Sequence, residues 1–114
     1  FLSTPSDLVR FGLAMNGGTL LQPATVRLLQ TPQLLPSGQA TGFGLGWTVE
    51  TMSLAGDSTL MASQASRSLL GAATSLLTFP EHGIVVAVTS NTSYARLREV
   101  ALDIAEVFGE RAVR

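Results

Sequence analysis

Three serines near the middle of the chain are the side chains best suited to chemistry. Ser63, Ser66 and Ser68 lie close together, with Arg67 between the last two. A serine becomes a nucleophile only when a neighbouring base takes its proton. The chain contains no lysine, because all seven basic residues are arginines, and its one histidine is distant in sequence. Taken alone, the serine cluster therefore indicates a polar strand end.

Other candidate motifs also have plainer interpretations. His82 could serve as an acid, a base or a ligand, but a single histidine in a turn favours a solvated surface position. Metal sites need several convergent ligands, and no such spacing is present. Gly56-Asp57-Ser58 is typical of a turn, and the glycines of 42–46 are followed by no helix that could bind phosphate. We expect no cofactor and no metal.

The stretch 63–91 organises the predicted fold. Two apolar runs, Ala73–Phe79 and Ile84–Thr89, flank the connection Pro80-Glu81-His82-Gly83. This spacing predicts a tight antiparallel hairpin. The second run is apolar at consecutive positions, which is typical of a central strand with both faces covered.

Two further strands are predicted before this hairpin. Residues 42–50 alternate strictly between large and small side chains, which predicts a strand with one bare face. A bare face indicates that another part of the chain packs close to its backbone. We expect a turn over 52–58, a third strand over 59–65, and a link over 67–71.

Helices are predicted at both ends of the chain. Thr4 and Pro5 are typical of a helix start, and Asn16-Gly17-Gly18 of its end; a second short helix is expected over 23–30. From Ser93 onward the period is helical, and we expect Ile104 to be fully buried on the sheet. The apolar stripe of this last helix consists of Leu97, Val100, Ala101, Ile104, Val107 and Phe108.

These elements predict an α+β fold, in which an antiparallel sheet of about four strands is flanked by helices and the C-terminal helix packs on the sheet. Residues 1–114 form either a single domain or a fragment of a larger one. The chain is 46% hydrophobic and only 13% charged, against roughly 25% charged in ordinary domains. It therefore carries more apolar surface than it can cover alone.

The composition also limits the kinds of partner that the chain is expected to bind. A net charge of −1 gives no reason to expect nucleic acid or an anionic membrane. No apolar run approaches the roughly 18 residues of a membrane span, and the first residues do not have the pattern of a signal peptide. The absence of cysteine leaves the compartment open.

Five motifs occur in one order along nearly the whole chain. They are L-S-T-P-S-D-L-x-x-F, G-F-G-L-G-W, S-x-x-G-A-x-x-S (Ser68, Gly71, Ala72, Ser75), F-P-E-x-G-I-V-V and the closing amphipathic helix. In this order the chain resembles the C-terminal part of the serine β-lactamase-like, or penicillin-binding-protein-like, family. That family includes class C β-lactamases, D-Ala-D-Ala carboxypeptidases and related esterases. The resemblance implies a partial β-lactamase/transpeptidase-like fold.

The resemblance also implies where a site would lie. The family's nucleophile motif S-x-x-K and its Y-x-N motif precede the segment matched here, and this chain contains neither. The third motif, K-T-G or H-x-G, falls on Ala65, Ser66 and Arg67, or begins at Gln64 if shifted by one residue. The cationic or imidazole group is lost in either alignment, and Arg67 replaces the glycine. The backbone N–H of Ser68 would match the family's oxyanion-hole donor.

Two functions remain open from the sequence. The chain resembles the C-terminal segment of a serine hydrolase that, when complete, would cleave β-lactams, D-Ala peptides or esters, and that is inactive without its nucleophile and lysine base. The alternative is a non-catalytic interaction or oligomerisation module derived from that fold. The expected partner is accordingly the missing N-terminal part of the fold or a self-associating copy.

Overall fold

A computed structural model of the protein describes residues 2–68, 70–93 and 95–113, without the side chains of Arg67, Ser68 and Val113. No helix in these ranges is long and apolar enough to cross a membrane. The helices are α1 (Pro5–Asn16), α2 (Pro23–Leu29) and α3 (Leu97–Val113), with a 3-10 turn at Pro80–His82; the strands are β1 (Thr48–Leu54), β2 (Asp57–Ser68), β3 (Ala72–Phe79) and β4 (Ile84–Ser90).

The four strands form one antiparallel sheet in the order β1-β2-β3-β4. The predicted α+β class, the β3–β4 hairpin and the docking of the last helix on the sheet are confirmed. The prediction that Ile84–Thr89 is a central strand is wrong, because β4 lies at one edge of the sheet.

The residues of β4 are apolar at consecutive positions because α1 covers one face of the strand and α3 covers the other. Val85 packs beside Met15 of α1, and Val86 beside Ala101 of α3.

Helix α1 begins and ends where its sequence predicts. The side chain of Thr4 accepts a hydrogen bond of 3.1 Å from the backbone N–H of Asp7, which satisfies one of the unpaired groups of the first turn. Met15 is buried, and the ring of Phe11 stacks on Trp47 with 6.4 Å between ring centroids. Helix α1 is thereby fixed on one face of the sheet.

The first predicted strand is wrong in its bounds, because residues 42–47 form a loop and β1 begins at Thr48. Gly44 lies so close to helix α2 that an added Cβ would stand 2.0 Å from the carbonyl oxygen of Leu29. The same oxygen accepts a hydrogen bond of 2.8 Å from Leu45 N. Gly44 therefore does mark a close backbone approach, but that approach holds the segment in a loop outside the sheet and leaves Phe43 exposed.

The turn expected over 52–58 is also wrong, because it contains only two residues. Leu54 pairs with Asp57, and the intervening Ala55 and Gly56 have φ angles of 49° and 86°. Two successive positive φ angles are characteristic of a type I′ hairpin turn. The short turn lets β2 begin at Asp57. At its other end β2 continues to Ser68 because Arg67 pairs with Ala73 of β3, so Arg67 lies in a strand instead of a link.

Helix α3 packs on the sheet through small side chains. Ala101 and Ala105 are fully buried, and an added Cβ at Gly109 would stand 2.9 Å from Leu54 Cγ. Ile104 is 37% exposed, so the prediction of its full burial is wrong. Small residues let the helix axis approach the sheet closely, and the large apolar residues then face away from it. We call Val100, Ile104, Val107 and Phe108, all partly exposed, the outer stripe of α3.

This packing predicts how α3 responds to an added side chain. Ala105→Leu should lower the free energy of unfolding by about 1–3 kcal/mol or more, because there is no space between α3 and the sheet. Asp103→Leu introduces the same residue at an exposed position of the same helix and should change stability by less than about 0.5 kcal/mol. Denaturant titration of both variants checks this, and equal effects would mean that another face of α3 is docked.

The β1–β2 turn predicts a stabilising substitution. Ala55 holds a left-handed conformation that costs a residue with a Cβ roughly 1–2 kcal/mol, and asparagine tolerates it better. Ala55→Asn creates the Asn-Gly pair preferred in type I′ turns and should raise the free energy of unfolding by about 0.5–1 kcal/mol. A loss of stability in a thermal or denaturant titration would contradict the assigned turn.

Candidate active site

The residues matched to the third family motif lie on the part of β2 that extends beyond β1. Strand β1 begins at Thr48, opposite Ser63, whereas β2 continues to Ser68 and pairs with β3 along its other side. Within the described residues, no strand pairs with the β1 side of residues 64–68. Every second backbone N–H and C=O of this stretch therefore points to a free edge, where an extended ligand could bind. We call residues 64–68 the open segment of β2.

Three hydroxyl side chains form a row across the sheet beside this segment. Ser66 pairs with Thr74, and Thr74 pairs with Thr89 on the next strand, so the three side chains share a face. They line a cleft of about 580 Å³ together with Ser3, Leu8, Gln64, Ala65 and Leu76. Hydroxyls donate and accept hydrogen bonds but do not titrate near neutral pH, so this wall of the cleft can orient a polar ligand and cannot move its protons.

Gln64 fixes the glycine-rich loop against β2. Its side-chain Nε2 donates a hydrogen bond of 2.9 Å to the carbonyl oxygen of Gly46. The loop, held at its other end by Leu29, forms one wall of a second cavity of about 350 Å³ that includes Trp47, Ser63 and Ala65. The sequence indicated Gln64 only as an alternative start of the degenerate motif; its contact with a loop eighteen residues earlier has no signal in sequence spacing.

Arg98 is a residue of this site that the sequence analysis did not indicate. It lies in the first turns of α3 and lines a cavity of about 360 Å³ with Ala65 and Ser75. Its guanidinium forms an ion pair with the carboxylate of Glu50 on β1. A cation thus lines the same cavity as Ala65, the first residue of the predicted degenerate third motif. Leu97 and Arg98 at the N-terminal end of α3 share this cavity with the end of β2 and the start of β3.

The remaining residues of the predicted site are described only in part. Arg67 and Ser68 occupy strand positions opposite Ala73 and Ala72, and their side chains lie outside the described residues. Ser63, the third serine of the cluster, is buried and does not reach the cleft.

His82 lies far from this site. It packs against the start of β2, with Nδ1 3.3 Å from Thr59 Oγ1 and Nε2 3.8 Å from the carboxylate of Asp57. Eight residues of strand, roughly 26 Å, separate Asp57 from Ala65. The expectation of a solvated surface histidine is wrong, because the side chain is 15% exposed and joins the two hairpins. It supplies no base to Ser66.

Comparison with known proteins agrees with the order of motifs. The family model described as Beta-lactamase matches residues 1–108. No curated protein and no solved structure matches the chain. Because the matched segment covers nearly the whole sequence, the chain belongs to the beta-lactamase family.

Proposed function

We propose that this chain is the C-terminal segment of a β-lactamase-like serine hydrolase and forms one wall of its active-site cleft. The family match over residues 1–108 is the observation that carries this proposal. The complete protein would hydrolyse β-lactams, D-Ala peptides or esters. In it, the open segment of β2 would lie along the extended substrate, and the backbone N–H of Ser68 would stabilise the oxyanion.

The chain alone lacks the groups that start such a reaction. Acyl transfer needs a nucleophile and a base within hydrogen-bond reach. Ser66 faces the cleft, but the chain has no lysine and His82 packs at the other end of β2. The nucleophile and the base would therefore come from the missing N-terminal part of the fold. We propose that the 114-residue chain is catalytically inactive by itself.

A β-lactam assay tests the inactivity of the isolated chain. Purified protein incubated with nitrocefin should release product no faster than buffer, and Ser66→Ala should behave identically. Hydrolysis that disappears in Ser66→Ala would overturn the proposal, because the chain would then contain a working nucleophile and base.

We further propose that Arg67 blocks the substrate edge. A glycine at this position lets a ligand lie against the strand, whereas arginine adds a long, permanently charged side chain. Ala65 is a second loss at the same motif, since it can neither donate a proton nor hold a carboxylate. The opposite role, in which the guanidinium holds a substrate carboxylate, would preserve binding.

A reconstituted protein separates these two roles of Arg67. The chain would be joined to a segment that supplies S-x-x-K and Y-x-N, and labelling by a fluorescent penicillin would be followed in time. Arg67→Gly combined with Ala65→His should raise the acylation rate if Arg67 blocks the edge. Lower probe binding in Arg67→Gly would show that the guanidinium holds the ligand and that the blocking role is wrong.

A non-catalytic interaction module is the second candidate function. The observation in its favour is the apolar outer stripe of α3, beside β4, whose outer edge pairs with no other strand of the described residues. Such a surface serves association whether or not the cleft retains chemistry.

A further inference from the structure

The connection between β2 and β3 lies at the end of the sheet that carries the candidate site. Ser68, whose backbone N–H is the proposed oxyanion donor, pairs with Ala72, so only residues 69–71 separate the two strands. Gly71 ends this connection with a φ of 92°, a left-handed conformation that is common at the last position of three-residue hairpin loops. The side chain of Leu70 is 96% exposed, so burial of that side chain does not hold the turn in place.

The linker between β4 and α3 contacts this turn at Gly71. Strands β3 and β4 are paired as far as Ala73 and Ser90, and the chain then continues beside the turn. The side chain of Ser93 is buried, and its Oγ accepts a hydrogen bond of 3.0 Å from the backbone N–H of Gly71. An added Cβ at Gly71 would stand 3.6 Å from the backbone oxygen of Asn91, so the linker runs close beside the turn.

The position of this turn matters because the open segment of β2 has one neighbouring strand. Within the described residues, β3 alone pairs with residues 64–68, so no second strand limits a displacement of the end of β2. An oxyanion donor is effective only when its N–H group lies about 2.7–3.1 Å from the atom that becomes charged. A small displacement of Ser68 would therefore lower the rate of acyl transfer.

We propose that Ser93 is a positioning residue, which holds the turn through Gly71 and thereby fixes the backbone N–H of Ser68. This inference rests on the proposed function, in which Ser68 stabilises the oxyanion. In this role Ser93 acts only through the backbone of the turn and supplies no group to the reaction. Because the negative charge develops only as the acyl bond is attacked, an error in the position of Ser68 should slow acylation without weakening the initial binding of substrate.

NMR of the 114-residue chain tests the structural part of this proposal. Ser93→Ala removes the acceptor and should speed amide exchange of Gly71 by roughly 2- to 10-fold, and it should shift the amide resonance of Ser68. Ser53→Ala makes the same change at an exposed position of β1, near the turn at the opposite end of the sheet, and should change neither signal. Circular dichroism spectra and thermal unfolding show that both variants fold.

Acylation of a reconstituted protein tests the catalytic part. The chain would carry Arg67→Gly and Ala65→His and would be joined to a segment that supplies S-x-x-K and Y-x-N. Adding Ser93→Ala should lower the acylation rate at saturating fluorescent penicillin by roughly 10-fold or more. The half-saturating probe concentration should change by less than about twofold, because the lost effect belongs to the transition state. Ser53→Ala should change neither value.

Each part has a result that overturns the proposal. Unchanged exchange of Gly71 together with an unshifted Ser68 amide in Ser93→Ala would mean that the contact does not hold the end of β2. An unchanged saturating rate, or a loss confined to probe binding, would mean that Ser93 does not position the donor. If the reconstituted protein is not acylated even with Ser93 intact, the proposed function is contradicted instead, and the NMR measurements still decide whether Ser93 fixes Ser68.

Discussion

The structure depends on the unequal pairing of two strands. Strand β2 has twelve residues, and β1 has only seven, so the last five residues of β2 extend past its neighbour. The two-residue turn at Ala55-Gly56 aligns the strands at one end, and the close contact of Gly44 with α2 removes residues 42–47 from the sheet at the other. Together these two local constraints leave residues 64–68 with one free edge. The candidate site exists because of that edge.

Helix packing explains both the stability of the sheet and its uncovered surface. Ala101, Ala105 and Gly109 let α3 lie close on one face, where Leu54, Met61, Leu77 and Phe79 form the core. On the other face, α1 covers a second core around Trp47 and Leu76. The close approach of α3 turns large residues of that helix away from the sheet and leaves Val100, Ile104, Val107 and Phe108 exposed. Part of the high apolar content of the sequence therefore lies on the surface of the described chain, on α3 as well as on α1, α2 and the loop before β1.

The sequence predicted the elements whose signals are local. The cap at Thr4, the β3–β4 hairpin and the helical period after Ser93 depend on residues within one or two turns of each other, and all three are confirmed. The errors have a common cause in tertiary contacts. Alternation over 42–50 indicated a strand, but Leu29 holds that segment in a loop. The consecutive apolar residues of β4 correctly indicated that both faces of the strand are covered. They contain no information on its position in the sheet, which is at the edge.

The same distinction applies to the candidate site. The serine cluster could be predicted to lie at a strand end, because that prediction rests on residues adjacent in sequence; the match of Ala65, Ser66 and Arg67 to the family's third motif stays a prediction. The contact of Gln64 with Gly46, the position of Arg98 beside Ala65 and the hydroxyl row of Ser66, Thr74 and Thr89 could not be. Each joins elements whose register is set only when the sheet forms. The apolar stripe of α3 likewise predicted a docked helix. The side that contacts the sheet is the one with the small residues Ala101 and Ala105, so residue size, and not polarity alone, determines which face is docked.

Amide hydrogen exchange of the open segment of β2 tests the central structural claim most directly. In residues 64–68, the amides bonded to β3 should exchange slowly, and the alternate amides that point to the free edge should exchange at rates close to those of an unfolded chain. This alternation, resolved residue by residue by NMR, is the result that the structure predicts. Uniform protection would mean that another element covers the edge, and uniformly fast exchange would mean that β2 ends before the site; either result would contradict the account.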